Sequence, residues 1–185
     1  MRLGCRTCAA LLAAVCCAAA SGANFERAEV THETGRYQLR FVVDLSAATA
    51  AVRALLTDYD HLDRLSAHIV ESRRLTAGDG GARVRIVLEA CVFVFCKTVR
   101  RVMAVETRAN GDILTLADPA ESDFRHAREI WQVNPQDRGT RLVYEAEFEP
   151  SFFVPPLIGP WLIKSRLRGA LEEIATRLED LAAQP

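Results

Sequence analysis

Past residue 23 this chain has no uncharged apolar run approaching the roughly 20 residues that cross a bilayer, which excludes a transmembrane helix in that part. It has no block of lysine and arginine, and that argues against nucleic acid as the main partner. His32, His61, His68 and His126 are scattered, none with a second ligand at a metal-binding interval, so no metal or other cofactor is expected. Cysteine is scarce beyond the N-terminus: of six, Cys5, Cys8, Cys16 and Cys17 lie at the start, leaving Cys91 and Cys96. No internal repeat or low-complexity linker interrupts the chain, so residues 24–185 read as one domain.

The N-terminus itself is informative. Arg2 and Arg6 precede an apolar run from Cys8 to Ala20, and Ser21 and Ala23 are then placed for signal peptidase. Residues 1–23 are expected to be a cleaved secretory signal and the mature protein to be exported, to the periplasm. A lipoprotein signal would need a small residue before Cys16, where Val15 stands. Cleavage removes two of the 23 basic residues and leaves 21 against 24 acidic, a net charge of −3. In an oxidising compartment the remaining pair of cysteines can bond.

Along the mature chain "YQLRFVVDL" sets Tyr37, Leu39, Phe41, Val43 and Leu45 against Gln38, Arg40 and Asp44, the period of a half-buried strand. A shorter strand at "RAEVTH" pairs with it through "ETGR". Ser46 is a candidate N-cap for a helix over "AATAAVRALLTD", and "DHLDRL" is a second short helix. Six strands follow, from "HIVESRRL" to "TRLVYEAEFE", with turn-forming links such as "AGDGG" and "NPQDRG" that imply antiparallel neighbours. Past Pro155, Pro156 and Pro160 the spacing of Leu167, Leu171, Ile174, Leu178 and Leu181 predicts a long helix. The order implies an α+β domain: a curved antiparallel sheet of about six to eight strands around a long C-terminal helix, with two short helices after the first long strand. A space between sheet and helix would serve as a binding cavity.

"LLTDYDHLDRLSAHIVESRRL", "DFRHAREIWQV", "GTRLVYEAEFEP" and "FFVPPLIGPWLIKSRLRGALEEI" resemble the START-related superfamily that includes polyketide cyclase/dehydrases and coenzyme Q-binding proteins. The resemblance spans about residues 30 to 182. It implies a helix-grip fold with a hydrophobic cavity, and does not identify the ligand, since the superfamily includes lipid carriers, ligand sensors and enzymes.

"CVFVFC" carries the next inference. As a continuous strand it would hold Cys91 and Cys96 roughly 16 Å apart. As a hairpin with a four-residue tip, Val92 to Phe95, it would bring them to the roughly 4.4 to 6.8 Å between alpha carbons that a disulfide requires. With Cys91 facing Cys96, Leu88 faces Val99, Ile86 faces Arg101 and Val84 faces Met103, an apolar face broken only by Arg101. The hairpin is the better reading, and two unbonded buried thiols the alternative. Arg101 would then enter the cavity, where a charge needs a partner. Glu129, on one strand face with Trp131 and Val133, is that candidate. Together they would hold the polar head of a ligand, or form a structural salt bridge.

In the helix-grip arrangement this hairpin and the loop "PSFFVPPLIGPW" share the cavity end. Val92, Phe93 and Phe95 with Phe152, Phe153, Leu157 and Trp161 would guard or line an entrance that contacts a membrane surface transiently, or would fold inward. Trp131, Tyr144 and Leu167 complete the expected lining, with Tyr144 read as core rather than catalytic. Arg83, Arg85, Glu89, Glu145, Glu147 and Glu149 read as a solvated sheet face. The favoured function is binding or transfer of a lipid or other hydrophobic small molecule. A cyclase or dehydrase, and a protein-interaction module, are the alternatives; an enzyme is disfavoured because no nucleophile with a base, and no acid–base pair beyond Arg101 with Glu129, stands out.

Overall fold

The computed structural model describes residues 23–75, 82–92, 95–155 and 159–184, with only the backbone described at positions 90–92 and 95. The expected signal, Phe93 and Leu157 lie outside the described residues. Eight strands run β1 Asn24–Glu33, β2 Arg36–Leu45, β3 Ile69–Leu75, β4 Ala82–Val92, β5 Phe95–Thr107, β6 Ile113–Ala117, β7 Phe124–Gln136 and β8 Gly139–Pro150. They form one antiparallel sheet in the order β1-β2-β8-β7-β6-β5-β4-β3. Helix α1, Thr49–Thr57, and a 3-10 turn, Leu62–Leu65, join β2 to β3, and the long helix α2 is Gly159–Ala182. The sheet is curved around α2, so each expected strand and helix is present.

Local chemistry accounts for the turns. Thr34 and Gly35 both have positive φ, +50° and +83°, as a two-residue hairpin between right-twisted strands requires. Gly139 closes the β7–β8 hairpin opposite Gln136 at φ +97°, where a Cβ would come within 2.0 Å of the Leu45 carbonyl. Pro160 lies in the first turn of α2, where its missing N–H costs nothing.

Two local expectations are corrected. Ser46 does not cap α1, whose N-cap is Ala48 without a side-chain bond. The Ser46 hydroxyl donates to Glu179 Oε2 of α2 at 2.8 Å, and its backbone N–H donates to the same carboxylate, because α2 brings an acceptor that no local sequence reading contains. The β4–β5 hairpin is also tighter than a four-residue tip. Cys91 faces Cys96, Leu88 faces Val99, Ile86 faces Arg101 and Val84 faces Met103 as the pairing argument requires, but Val92 also faces Phe95, leaving a two-residue loop.

The core lies between sheet and helix. Tyr37, Leu39, Phe41, Val43 and Leu45 of β2 are buried, and Leu171, Ala175 and Leu178 of α2 pack onto that face. Leu167, Ile174 and Leu181 flank them half-buried. On the outer face the charges pair rather than stand free: Glu145 with Arg40, Glu147 with Arg36 and His126, Glu149 with Arg36 and Arg125. Exposed pairs of this kind contribute little each, ~0–1 kcal/mol. Among the described residues no helix is long and apolar enough to cross a membrane.

Candidate functional site

The inner sheet face and α2 do not meet everywhere. Between them is a cavity of about 180 Å³ whose walls include Leu39, Ile86, Met103, Ile113, Trp131 and Leu171. Leu62, Leu65, Ser66 and His68, from the segment leading into β3, and Leu167 and Ala170 of α2 complete its lining. Glu173 ties these two sides together: its carboxylate accepts from the Ser66 hydroxyl at 2.9 Å and from the Ala67 N–H at 3.0 Å. Burial opposes the Glu173 charge, but these donors, with the charges of His68 and Arg177, hold the carboxyl below its ordinary value.

One polar cluster interrupts the apolar lining. Period-2 alternation points Arg101 of β5, Thr115 of β6 and Glu129 of β7 inward on neighbouring strands, and Tyr144 joins them from β8. Arg101 Nη2 is 2.5 Å from Glu129 Oε1, with the two side chains only 14% and 10% exposed. Thr115 Oγ1 donates to Glu129 Oε2 at 3.4 Å, facing it directly across the β6–β7 pair. Tyr144 lies close enough to Glu129 for the carboxylate to act on its phenol, and its ring lies 4.1 Å from that of Trp131, centroid to centroid. The guanidinium further touches the Met103 sulfur at 3.7 Å and stands 5.8 Å over the Phe124 ring. Its Nε is buried without a hydrogen-bond partner among the described residues.

Burial penalises the Arg101 charge, yet the Glu129 carboxylate outweighs that penalty and keeps the guanidinium above its usual value. Burial, and next the same carboxylate, push the Tyr144 phenol well above the ordinary tyrosine range, against the opposing Arg101 charge. The cluster is therefore a neutral phenol beside a paired charge, with one guanidinium N–H unpaired. Such a group can hold a hydroxyl, carbonyl or carboxylate inside an otherwise apolar space.

Of the residues singled out from sequence, Arg101, Glu129, Trp131, Tyr144 and Leu167 come together at the cavity. Phe152, Phe153 and Trp161 are not among its lining. Phe152 is half-buried beneath Lys97, whose Nζ is 5.1 Å from the ring centre, while Phe153 and Trp161 face outward, 82% and 71% exposed. For Val92 and Phe95 the strand pairing is described and the side chains are not. Sequence reasoning missed Thr115 and the Ser66 and His68 part of the lining. Thr115 alternates with Ile113 and so shares its face, but the β6–β7 register that seats it against Glu129 leaves no local signal. Asp58, Tyr59 and Asp60 fix the junction after α1: Asp58 binds His61 and Arg64, the Tyr59 carbonyl accepts from Ser72, and Asp60 accepts the Arg74 N–H. Among the described residues no three His, Cys, Asp or Glu converge as a metal site.

A curved antiparallel sheet folded over one long helix, with an apolar cavity between them, defines the helix-grip class. Residues 30–179 match the family described as polyketide cyclase / dehydrase and lipid transport, and the chain belongs to that family. Solved structures share the fold at low identity. A START superfamily protein from Mycobacterium smegmatis is 18% identical, TM-score 0.62, over 77% of this chain and 94% of its own. A STAR-related lipid transfer protein from Xanthomonas axonopodis is 17% identical, TM-score 0.61, over 82% and 98%. The Zhui aromatase/cyclase from Streptomyces sp. R1128 is 15% identical, TM-score 0.53, over 80% and 91%. No curated protein matches the sequence.

Proposed function

We propose that the protein binds and carries a hydrophobic molecule with one polar end, the polar end at Arg101 and Glu129 and the apolar part against Trp131, Met103 and α2. The observation that carries this reading is the buried ion pair, with the Arg101 Nε left unpaired, set in the wall of an otherwise apolar cavity. A closed, filled interior would have favoured an interaction module, and the cavity speaks against it. A cavity of about 180 Å³ admits several water-sized groups, which suits a head group and its first carbons.

The reading includes export through residues 1–23 and a Cys91–Cys96 disulfide in the oxidising compartment. The register supports the bridge: with Val92 and Phe95 closing the hairpin, regular alternation makes the next pair the narrow one, about 4.5 Å between alpha carbons. Mass spectrometry of gently purified protein is expected to show a copurifying amphiphile and, after alkylation without reductant, no labelled thiol at Cys91 or Cys96. Protein that is empty and takes up no lipid from liposomes would refute the carrier reading.

A second reading is kept for one observation: Glu129 and the protonated Tyr144 phenol form an acid–base pair facing the cavity, as cyclisation or dehydration chemistry needs. Turnover of a polyketide-like substrate that survives replacement of both Arg101 and Glu129 would end that assignment.

A further inference from the structure

We infer that the N-terminal end of α2 and the loop before it dock on an anionic lipid bilayer, through Phe153 and Trp161 flanked by cations. The two aromatics are the most exposed large apolar side chains of the described residues. They belong to one surface, because the Gly159 N–H donates to the Pro155 carbonyl at 2.8 Å and the Gly159 Cα packs so closely on Val154 that a Cβ would fall 2.3 Å from its Cγ1. That contact holds Val154 and Pro155, next to Phe153, against the first turn of α2, which carries Trp161. Lys97 over the Phe152 ring ties the base of the β4–β5 hairpin to the same surface.

Charge selects the occupant. From Pro150 to Leu171 the chain has Lys164, Arg166 and Arg168 and no acidic residue, although the whole chain has a net charge of −1. Arg168 is paired with Glu172 at 2.9 Å, whereas Lys164 and Arg166 have no carboxylate partner among the described residues. Exposed aromatics next to unpaired cations suit a bilayer better than an aqueous protein partner. A bilayer accounts for both, since aromatic side chains settle at the headgroup level and lysine and arginine are drawn to anionic lipid. The surface is independent of the cavity's polar cluster, so it stands or falls separately from the ligand reading.

The test is vesicle flotation of the mature protein with neutral phosphatidylcholine, and with phosphatidylcholine containing phosphatidylglycerol. Wild type is expected to float with the anionic vesicles and to dissociate as salt is raised. Phe153→Ala/Trp161→Ala should lose at least about tenfold in partitioning, given the apolar surface removed. Lys97→Gln/Lys164→Gln/Arg166→Gln should lose about fivefold per cation, on the order of 100-fold in total, for anionic vesicles alone. Circular dichroism and thermal melting of each variant establish that it is folded. Equal binding to both vesicle types, no binding to either, or unchanged binding of a folded Phe153→Ala/Trp161→Ala variant would each overturn the inference. Cavity variants at Arg101 and Glu129 should float as wild type does.

Discussion

Replacing Arg101 by methionine removes one half of a pair that is almost wholly out of water, and the cost follows from what remains. Glu129, 10% exposed, would keep a 3.4 Å bond from Thr115 and would lose the cation at 2.5 Å. Breaking a buried pair costs roughly 3–5 kcal/mol, and the surviving Thr115 donor puts this case near the lower end, at about 3 kcal/mol. For a domain of this size that lowers the melting temperature by roughly 6–12 °C. Glu129→Leu should cost a similar amount, since it strands the guanidinium. Removing both, as Arg101→Met/Glu129→Leu, should restore stability to within about 1 kcal/mol of wild type, because desolvation of both charges disappears with their attraction. Urea unfolding of the four proteins closes the cycle, and the two single costs less that of the double give an expected coupling of about 5 kcal/mol. A coupling below about 0.5 kcal/mol, or a double variant as unstable as the sum of the singles, would refute the reasoning. The folded double variant also divides the two roles of the pair: loss of copurifying ligand assigns it to head-group binding, and retention leaves it a structural bridge.

Tyr37, Tyr59 and Tyr144, the three tyrosines of the chain, all have phenols raised by burial, Tyr59 despite the opposing Arg74 charge. Their raised folded values favour the native state below the unfolded pKa of about 10, and that stability is lost as pH rises toward and through the folded values. Tyrosinate absorbance should therefore be missing near pH ~10 and appear only together with alkaline unfolding, so a tyrosine titrating near that pH in the folded protein would contradict the burial. Glu173 is the opposite case. Its lowered folded value gives stability that is present above the ordinary carboxyl value and lost as pH falls through the folded one. Glu173→Gln should cost about 1 kcal/mol at neutral pH and flatten the acid limb of the stability profile, as read by denaturant titration across pH. An unchanged acid limb would mean that Glu173 does not clamp α2 to Ser66 and Ala67.

Much of this protein was legible as pattern. Alternation in β2, turn residues at the hairpins and the leucine spacing of α2 are local signals, and each corresponds to an observed element. The Arg101–Glu129 pair was within reach for a related reason, because one lone charge on an apolar strand face needs a partner from another face like it. What no local pattern held was the meeting of distant acceptors and donors. Ser46 has the chemistry of a helix cap, yet Glu179, 133 positions away, takes its bonds. Thr115 reads as an ordinary strand residue until the β6–β7 register seats it on Glu129. Phe153 and Trp161 could have lined the cavity or faced solvent with the same composition, and the packing of Gly159 on Val154 decided for the outside. Sequence by itself thus determined the elements, the face each one buries and the lone charge that had to be compensated, since periodicity acts over a few residues. Tertiary structure alone decided the size of the cavity, the place of Thr115 in its polar cluster and the outward turn of the aromatics, since these depend on strand register and on how α2 closes over the sheet.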